Sequence, residues 1–128
     1  MNPILNISPL DGRYKSKTNI LEYYFSEYAY IKYRLKVEIE YLIKLKHIVN
    51  IDLCDKSLRN IYKNFSIDDS KYIKSIESRI NHDVKSIEYF IKNQLVENNK
   101  FNDLVKYKEL IHFALTSQDI NSVANTIL

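Results

Sequence analysis

The feature that most limits how this chain can fold is its near lack of glycine and proline. It holds one glycine, Gly12, and two prolines, Pro3 and Pro9; residues 13 to 128 contain neither. Sheet proteins need tight reversals, which draw on Gly, Pro and Asn at backbone angles other residues adopt poorly. A chain with so few breakers is predicted to be all-α, with connections made by Asn, Asp and Ser. Hydrophobic residues make up 45% and charged residues 27%, which suits a core in one domain of ordinary size. The net charge of +3 is spread among interspersed signs and does not argue for nucleic acid, which calls for a clustered basic face. The single cysteine, Cys54, excludes an internal disulfide framework and suits a reducing compartment. No apolar run reaches membrane-spanning length and the first residues lack a secretory pattern, so no membrane role is expected and the expected location is the cytoplasm.

Residues 1–17 read as an irregular arm of turn formers (Asn6, Ser8, Pro9, Asp11, Gly12), and residues 18–128 as a helical domain. Thr18 or Asn19 is expected to cap a short helix through Phe25. Ser26 opens the longest helix, to about residue 48. Tyr28, Ile31, Leu35, Ile39, Leu42 and Leu45 recur on it at three- and four-residue steps, forming one apolar stripe. Lys32, Arg34, Lys36, Glu40 and Lys44 fall mostly off that stripe, and Glu40 and Lys44 have the spacing of a helical ion pair. Asp55 is placed to cap a helix over about 56–64. Ser66 with Asp69 has capping-box form and opens a helix to Arg79. The stretch RINHDV interrupts it, and Val84, Ile87, Ile91 and Leu95 mark a further helix to Val96. A turn is expected over ENNKFND and a helix over 103–113. Thr116 with Asp119, a second box, opens a last helix that meets Leu128 with no stop signal, so the chain is expected to be cut short.

Three polar clusters stand out, each open to two readings. Asp11-Gly12-Arg13-Tyr14 is a turn whose guanidinium fork and hydroxyl suit a phosphate or carboxylate, or a plain turn with a solvated arginine. Asn81-His82-Asp83 lies at a break between helices. It could hold a polar substrate, or Asn81 or Asp83 could cap the next helix with His82 incidental. Thr116-Ser117-Gln118-Asp119 places hydroxyls and amides at a helix N-terminus, which is an anion site or an ordinary box. His112 precedes this cluster by one turn. His47, His82 and His112 have no partner at metal-ligand spacing, so no metal site is expected.

Taken together, SPLDGRY, NHDVKSIEYF and HFALTSQDIN, with the helix FSEYAYIKYRLKVEIEYL, make the chain similar to the N-terminal part of the adenylosuccinate lyase family, in the fumarase/aspartase superfamily. The resemblance implies the N-terminal helical domain of that superfamily, truncated before its central helical bundle. It implies β-elimination of fumarate from adenylosuccinate and from a succinyl-carboxamide ribotide, in a homotetramer, with no metal or organic cofactor. It further implies that Arg13 and Tyr14 bind the substrate phosphate. Asn81, His82 and Asp83 would line the nucleotide pocket, with His82 a catalytic auxiliary, and Thr116 and Ser117 would hold a succinyl carboxylate. Lys85 and His112 would lie near the site. Asn81 stands where many members have Arg; a subgroup has Asn there, and NHDVKSIEYF fits that subgroup. The family's general-acid histidine and its loop serine fall outside these 128 residues, so the chain alone is expected to be inactive. A helical assembly module derived from a lyase, without chemistry, is the alternative.

Overall fold

The computed structural model describes residues 3–51, 54–97 and 105–128. The described residues contain helices and turns but no strand, as the composition predicts. After a 3₁₀ turn at Pro3–Leu5, the chain runs through α1 (Lys15–Thr18), a 3₁₀ turn (Asn19–Leu21) and α2 (Glu22–Phe25). The predicted short helix is therefore a succession of single turns, and neither Thr18 nor Tyr14 caps through its side chain. The Thr18 hydroxyl instead donates back to the Leu10 carbonyl, 2.8 Å away, closing the arm on itself.

The centre of the fold is α3 (Glu27–Ile48), started by the Ser26 hydroxyl accepting the Ala29 amide. It packs against α4 (Asp55–Lys63), α5 (Ile67–Ile80), α6 (Asp83–Glu97) and α7 (Ser117–Ile127). The core joins Ile31, Leu35, Ile39, Leu42 and Ile43 of α3 to Leu58, Phe65, Ile73, Ile87, Phe90 and Ile91. The predicted stripe is inside, but the buried face is wider than predicted. Arg34, Glu38 and Lys46 are buried on it too, at steps of four or eight that keep them on one ridge. A fully apolar helix face was not needed because each of these charges meets a partner: Asp83, His112 and Asp55 respectively.

Two further expectations are corrected by those partners. Asp55 is the first residue of α4 rather than its cap, and its carboxylate goes to Lys46. Glu40 does not pair with Lys44. It takes a two-pronged bond from Arg59 (2.8 and 3.0 Å) and a third from the Tyr62 hydroxyl (2.8 Å), fastening α4 to α3. Both predicted boxes form: Asp69 accepts the Ser66 amide at 2.8 Å, and Asp119 accepts the Thr116 amide at 2.7 Å. The ENNKFND turn and the start of the 103–113 helix lie largely outside the described residues. The next described element is a 3₁₀ helix, Val105–Leu110, which gives way to an irregular turn. No helix among the described residues is long and apolar enough to cross a membrane.

Left-handed backbone, usually the province of glycine, falls on Asn50, Asn81, His112 and Ala114. Gly12 is not among them. The arm turn is built instead by the Ser8 carbonyl accepting the amides of Asp11 and Gly12 (3.2 and 3.1 Å) and by Pro9 accepting Tyr14 (3.0 Å). Gly12 thus takes part in the turn through its amide, at backbone angles open to other residues.

Candidate functional site

The corner between α5 and α6 is the most elaborated of the three clusters. Asn81 ends α5 with left-handed angles (φ 53°, ψ 41°), and its amide donates to Glu77 O at 2.7 Å. Asn tolerates that conformation better than most side chains, so its identity here follows from the corner itself. His82 is not incidental. Its Nδ1 accepts the Lys85 amide at 3.1 Å, so the imidazole caps α6 in the role usually played by Ser or Asp. Asp83 is occupied in structure: Oδ1 accepts the Val84 amide at 2.8 Å, and Oδ2 meets Arg34 Nη2 at 2.8 Å. Partial burial would raise the Asp83 carboxyl, but the Val84 amide and the Arg34 guanidinium outweigh it and hold the group below its ordinary value. Arg34 in turn stacks on the Tyr30 ring, 3.9 Å from its centroid. The ammonium of Lys85 lies 2.7 Å from Glu88, which also takes Lys92 at 2.9 Å.

The second assembly is the turn before α7. His112 adopts φ 61° and Ala114 φ 60°. His112 Nδ1 lies 2.5 Å from Oε1 of Glu38, and the Tyr41 hydroxyl donates to the Phe113 carbonyl at 2.8 Å. Two side chains of α3 thus clamp the turn that leads into the last helix. Burial raises the Glu38 carboxyl, the His112 contact opposes the rise, and the nearby Glu88 charge adds to it. At the start of α7 the Thr116 hydroxyl donates to Asp119 at 2.9 Å. The Thr116 amide and hydroxyl together lower the Asp119 carboxyl. A carboxylate already fills this end of the helix, so Ser117, rather than Thr116, has the hydroxyl a ligand could use without breaking the box.

The third cluster stands apart. Arg13 lies over the Tyr14 ring at 4.8 Å, and both side chains are exposed. The arm's own hollow, about 340 Å³, is lined by Ser8, Leu10, Lys15, Thr18 and Phe25 among others, and not by Arg13 or Tyr14. Among the described residues no hydrogen bond or ion pair joins Arg13 or Tyr14 to α6 or α7. The structure therefore ties Asp83, the neighbour of His82, and His112 to one stretch of α3 and leaves Arg13 and Tyr14 outside it. The gathering residues, Arg34 and Glu38, were missed by the sequence reading. The available signal was two opposite charges four residues apart, flanking Leu35 on a helix whose neighbouring positions are apolar. Among the described residues no group of three or more histidine, cysteine or carboxylate side chains is arranged to hold a metal ion.

No protein-family model matches the chain. Individual proteins do. An adenylosuccinate lyase of Dictyostelium discoideum is 46% identical over 132 residues, covering 97% of this chain. Adenylosuccinate lyases of Buchnera aphidicola subsp. Schizaphis graminum and of Escherichia coli K12 are 40% and 37% identical over 135 residues, covering all of it. The chain is an adenylosuccinate lyase homologue. It spans only 28–29% of the length of these relatives. The similarity to adenylosuccinate lyases runs through all three polar clusters and does not favour a non-catalytic assembly module. The resemblance carried by SPLDGRY, NHDVKSIEYF and TSQD is thereby borne out at the level of the family.

Proposed function

We propose that the chain is the nucleotide-handling portion of an adenylosuccinate lyase, an enzyme that eliminates fumarate from adenylosuccinate and from the succinyl-carboxamide ribotide of purine synthesis. The observation that carries this reading is identity of 37–46% to adenylosuccinate lyases across essentially the whole chain. In this reading Arg13 and Tyr14 take the substrate phosphate, a natural load for a planar guanidinium beside a hydroxyl. His82 and Asn81 face the nucleotide, with Lys85 and His112 close by. Ser117, with the first amides of α7, takes a succinyl carboxylate. Asp83 belongs to the site as a support, held by Arg34. The complete enzyme works as a homotetramer in the cytoplasm, where an unpaired, exposed Cys54 is at home. Neither a metal nor an organic cofactor enters the reading, since elimination beside a carboxylate needs a base, an acid and fixed donors for the developing charge.

The 128-residue chain contributes binding groups but neither principal catalytic group. Purified chain given adenylosuccinate is expected to release no fumarate and to bind AMP in a titration followed by NMR. Arg13→Ala is expected to weaken that binding by about tenfold or more, the worth of a charge-assisted bond to phosphate. Sustained fumarate release would overturn the division of labour. AMP binding indifferent to Arg13 would overturn the phosphate assignment.

A further inference from the structure

Glu38 and Arg34 are the charges on α3 that serve the two assemblies, and they are 1% and 7% exposed. Enclosing a charge costs several kcal/mol per ion, so apolar side chains would serve the core at least as well. Each also leaves one buried atom, Glu38 Oε2 and Arg34 Nε, without a hydrogen-bond partner. They are one turn apart, about 6 Å along the helix axis. One reaches the residue beside His82 and the other reaches His112.

The partners of the two imidazoles differ in kind. At His82 the group within hydrogen-bond distance of Nδ1 is the Lys85 amide at 3.1 Å; the Asp83 carboxylate stands beyond it at 3.9 Å. An amide nitrogen only donates, so Nδ1 is bare, and in the neutral ring the proton is on Nε2. At His112 the group facing Nδ1 is a carboxylate oxygen. Ionised, that oxygen can only accept, which puts the proton on Nδ1 and the lone pair on Nε2. Glu88 faces Glu38 from α6, but its charge is met by Lys85 and Lys92. His112 is left as the polar partner of Glu38.

We propose that Glu38 is a positioning residue acting through His112, and that it and the α6 amide hold the two histidines in opposite tautomers. His82 then offers an N–H and His112 offers a lone pair. A ligand suited to this pair carries an anionic oxygen for His82 and an N–H, or another donor, for His112. That pairing of ligand groups rests on the nucleotide-site reading above, while the tautomers themselves do not.

The test is long-range proton–nitrogen NMR of the ¹⁵N-labelled 128-residue chain at about pH 8.5, where an ordinary imidazole is neutral. His82 is expected to show the Nε2–H pattern and His112 the Nδ1–H pattern. Glu38→Met, which keeps the bulk and removes the acceptor, is expected to move His112 to the Nε2–H pattern and leave His82 unchanged. Should that variant lose its helical circular dichroism, Glu38→Gln takes its place, with His112 averaging between tautomers and His82 unmoved. An Nε2–H pattern at His112 in the unaltered chain, as a protonated Glu38 would give, overturns the proposal. So does a His112 spectrum indifferent to the substitution. All spectra are taken without ligand, so a failure of nucleotide binding cannot be mistaken for a failure of the tautomer assignment.

Discussion

The Arg34–Asp83 pair gives the sharpest test of how the α5–α6 corner is held. Its side chains are unequally placed: Arg34 is 9% exposed and Asp83 is 48% exposed, with 2.8 Å between Nη2 and Oδ2. Removing one partner of a fully buried pair costs about 3–5 kcal/mol, because the other charge is stranded. Asp83→Ala strands Arg34, but the space it vacates opens to water, so the cost falls toward that of one charge-assisted bond, about 2 kcal/mol. Arg34→Met strands nothing, since Asp83 can be solvated, and should cost about 1 kcal/mol. In the double variant no charge is stranded, so the two losses should not add, and a coupling of about 1–2 kcal/mol is expected. At this chain length each kcal/mol moves Tm by about 3–4 °C. The single changes should thus lower Tm by about 6–8 °C and about 3–4 °C. Thermal and urea unfolding followed by circular dichroism measures all four proteins. Strictly additive losses would refute the reasoning, because the corner would then be held by packing and by the Val84 amide instead of by the ion pair.

Other outcomes come from the backbone and from titration. Ala114 sits at φ 60°, where a Cβ costs about 1–2 kcal/mol. Ala114→Gly should therefore raise stability by up to about 1 kcal/mol after the added freedom of the unfolded chain, and a loss in urea unfolding would count against that strain. In acid, Glu40, Asp83 and Glu88 should act together. Arg59 and Tyr62 lower Glu40 against partial burial, and at Glu88 burial is outweighed by Lys85 and Lys92. A carboxyl lowered in the folded state contributes stability above its unfolded value, 4.5 for Glu and 3.8 for Asp, and loses it as pH falls through the lower folded value. Glu38, raised by burial, has the opposite sign: its contribution is present below 4.5 and is lost as pH rises through its folded value. Tm should therefore fall below about pH 4.5, and Glu88→Gln should flatten that fall when Tm is followed against pH.

What could be read from the sequence was local. Ser26, Ser66 and Thr116 announce their helices because a cap and its bonding partner lie within three residues of each other. The apolar stripe of α3 was legible for the same reason. The partners of charged residues were not. Glu40 could be matched to Lys44 by spacing, but its real partner, Arg59, comes from another helix and is decided by packing. Arg34 looked solvent-facing because a charge on a helix defaults to water until something across the interface answers it, and Asp83 is 49 residues away. The capping role of His82 was not legible, since capping is expected of hydroxyls and carboxylates. The ring nitrogen does the same work when the corner turns it back toward α6. The resemblance singled out three candidate clusters; the structure separates residues offered to solvent from those, such as Asp83 and Thr116, already engaged.

The bond from the Tyr41 hydroxyl to the Phe113 carbonyl spans 72 residues of chain. A ribosome adds about 5–20 residues each second, so α3 emerges roughly 4–14 s before the turn that will cover its Glu38 face. During that interval Glu38 is in water, where its charge costs nothing to keep, and the Tyr41 hydroxyl is bonded to solvent. Helices α4 to α6 can dock on the apolar side meanwhile. The polar side of α3 stays wet until that turn emerges, so the face that receives His112 closes after its apolar side can already be covered.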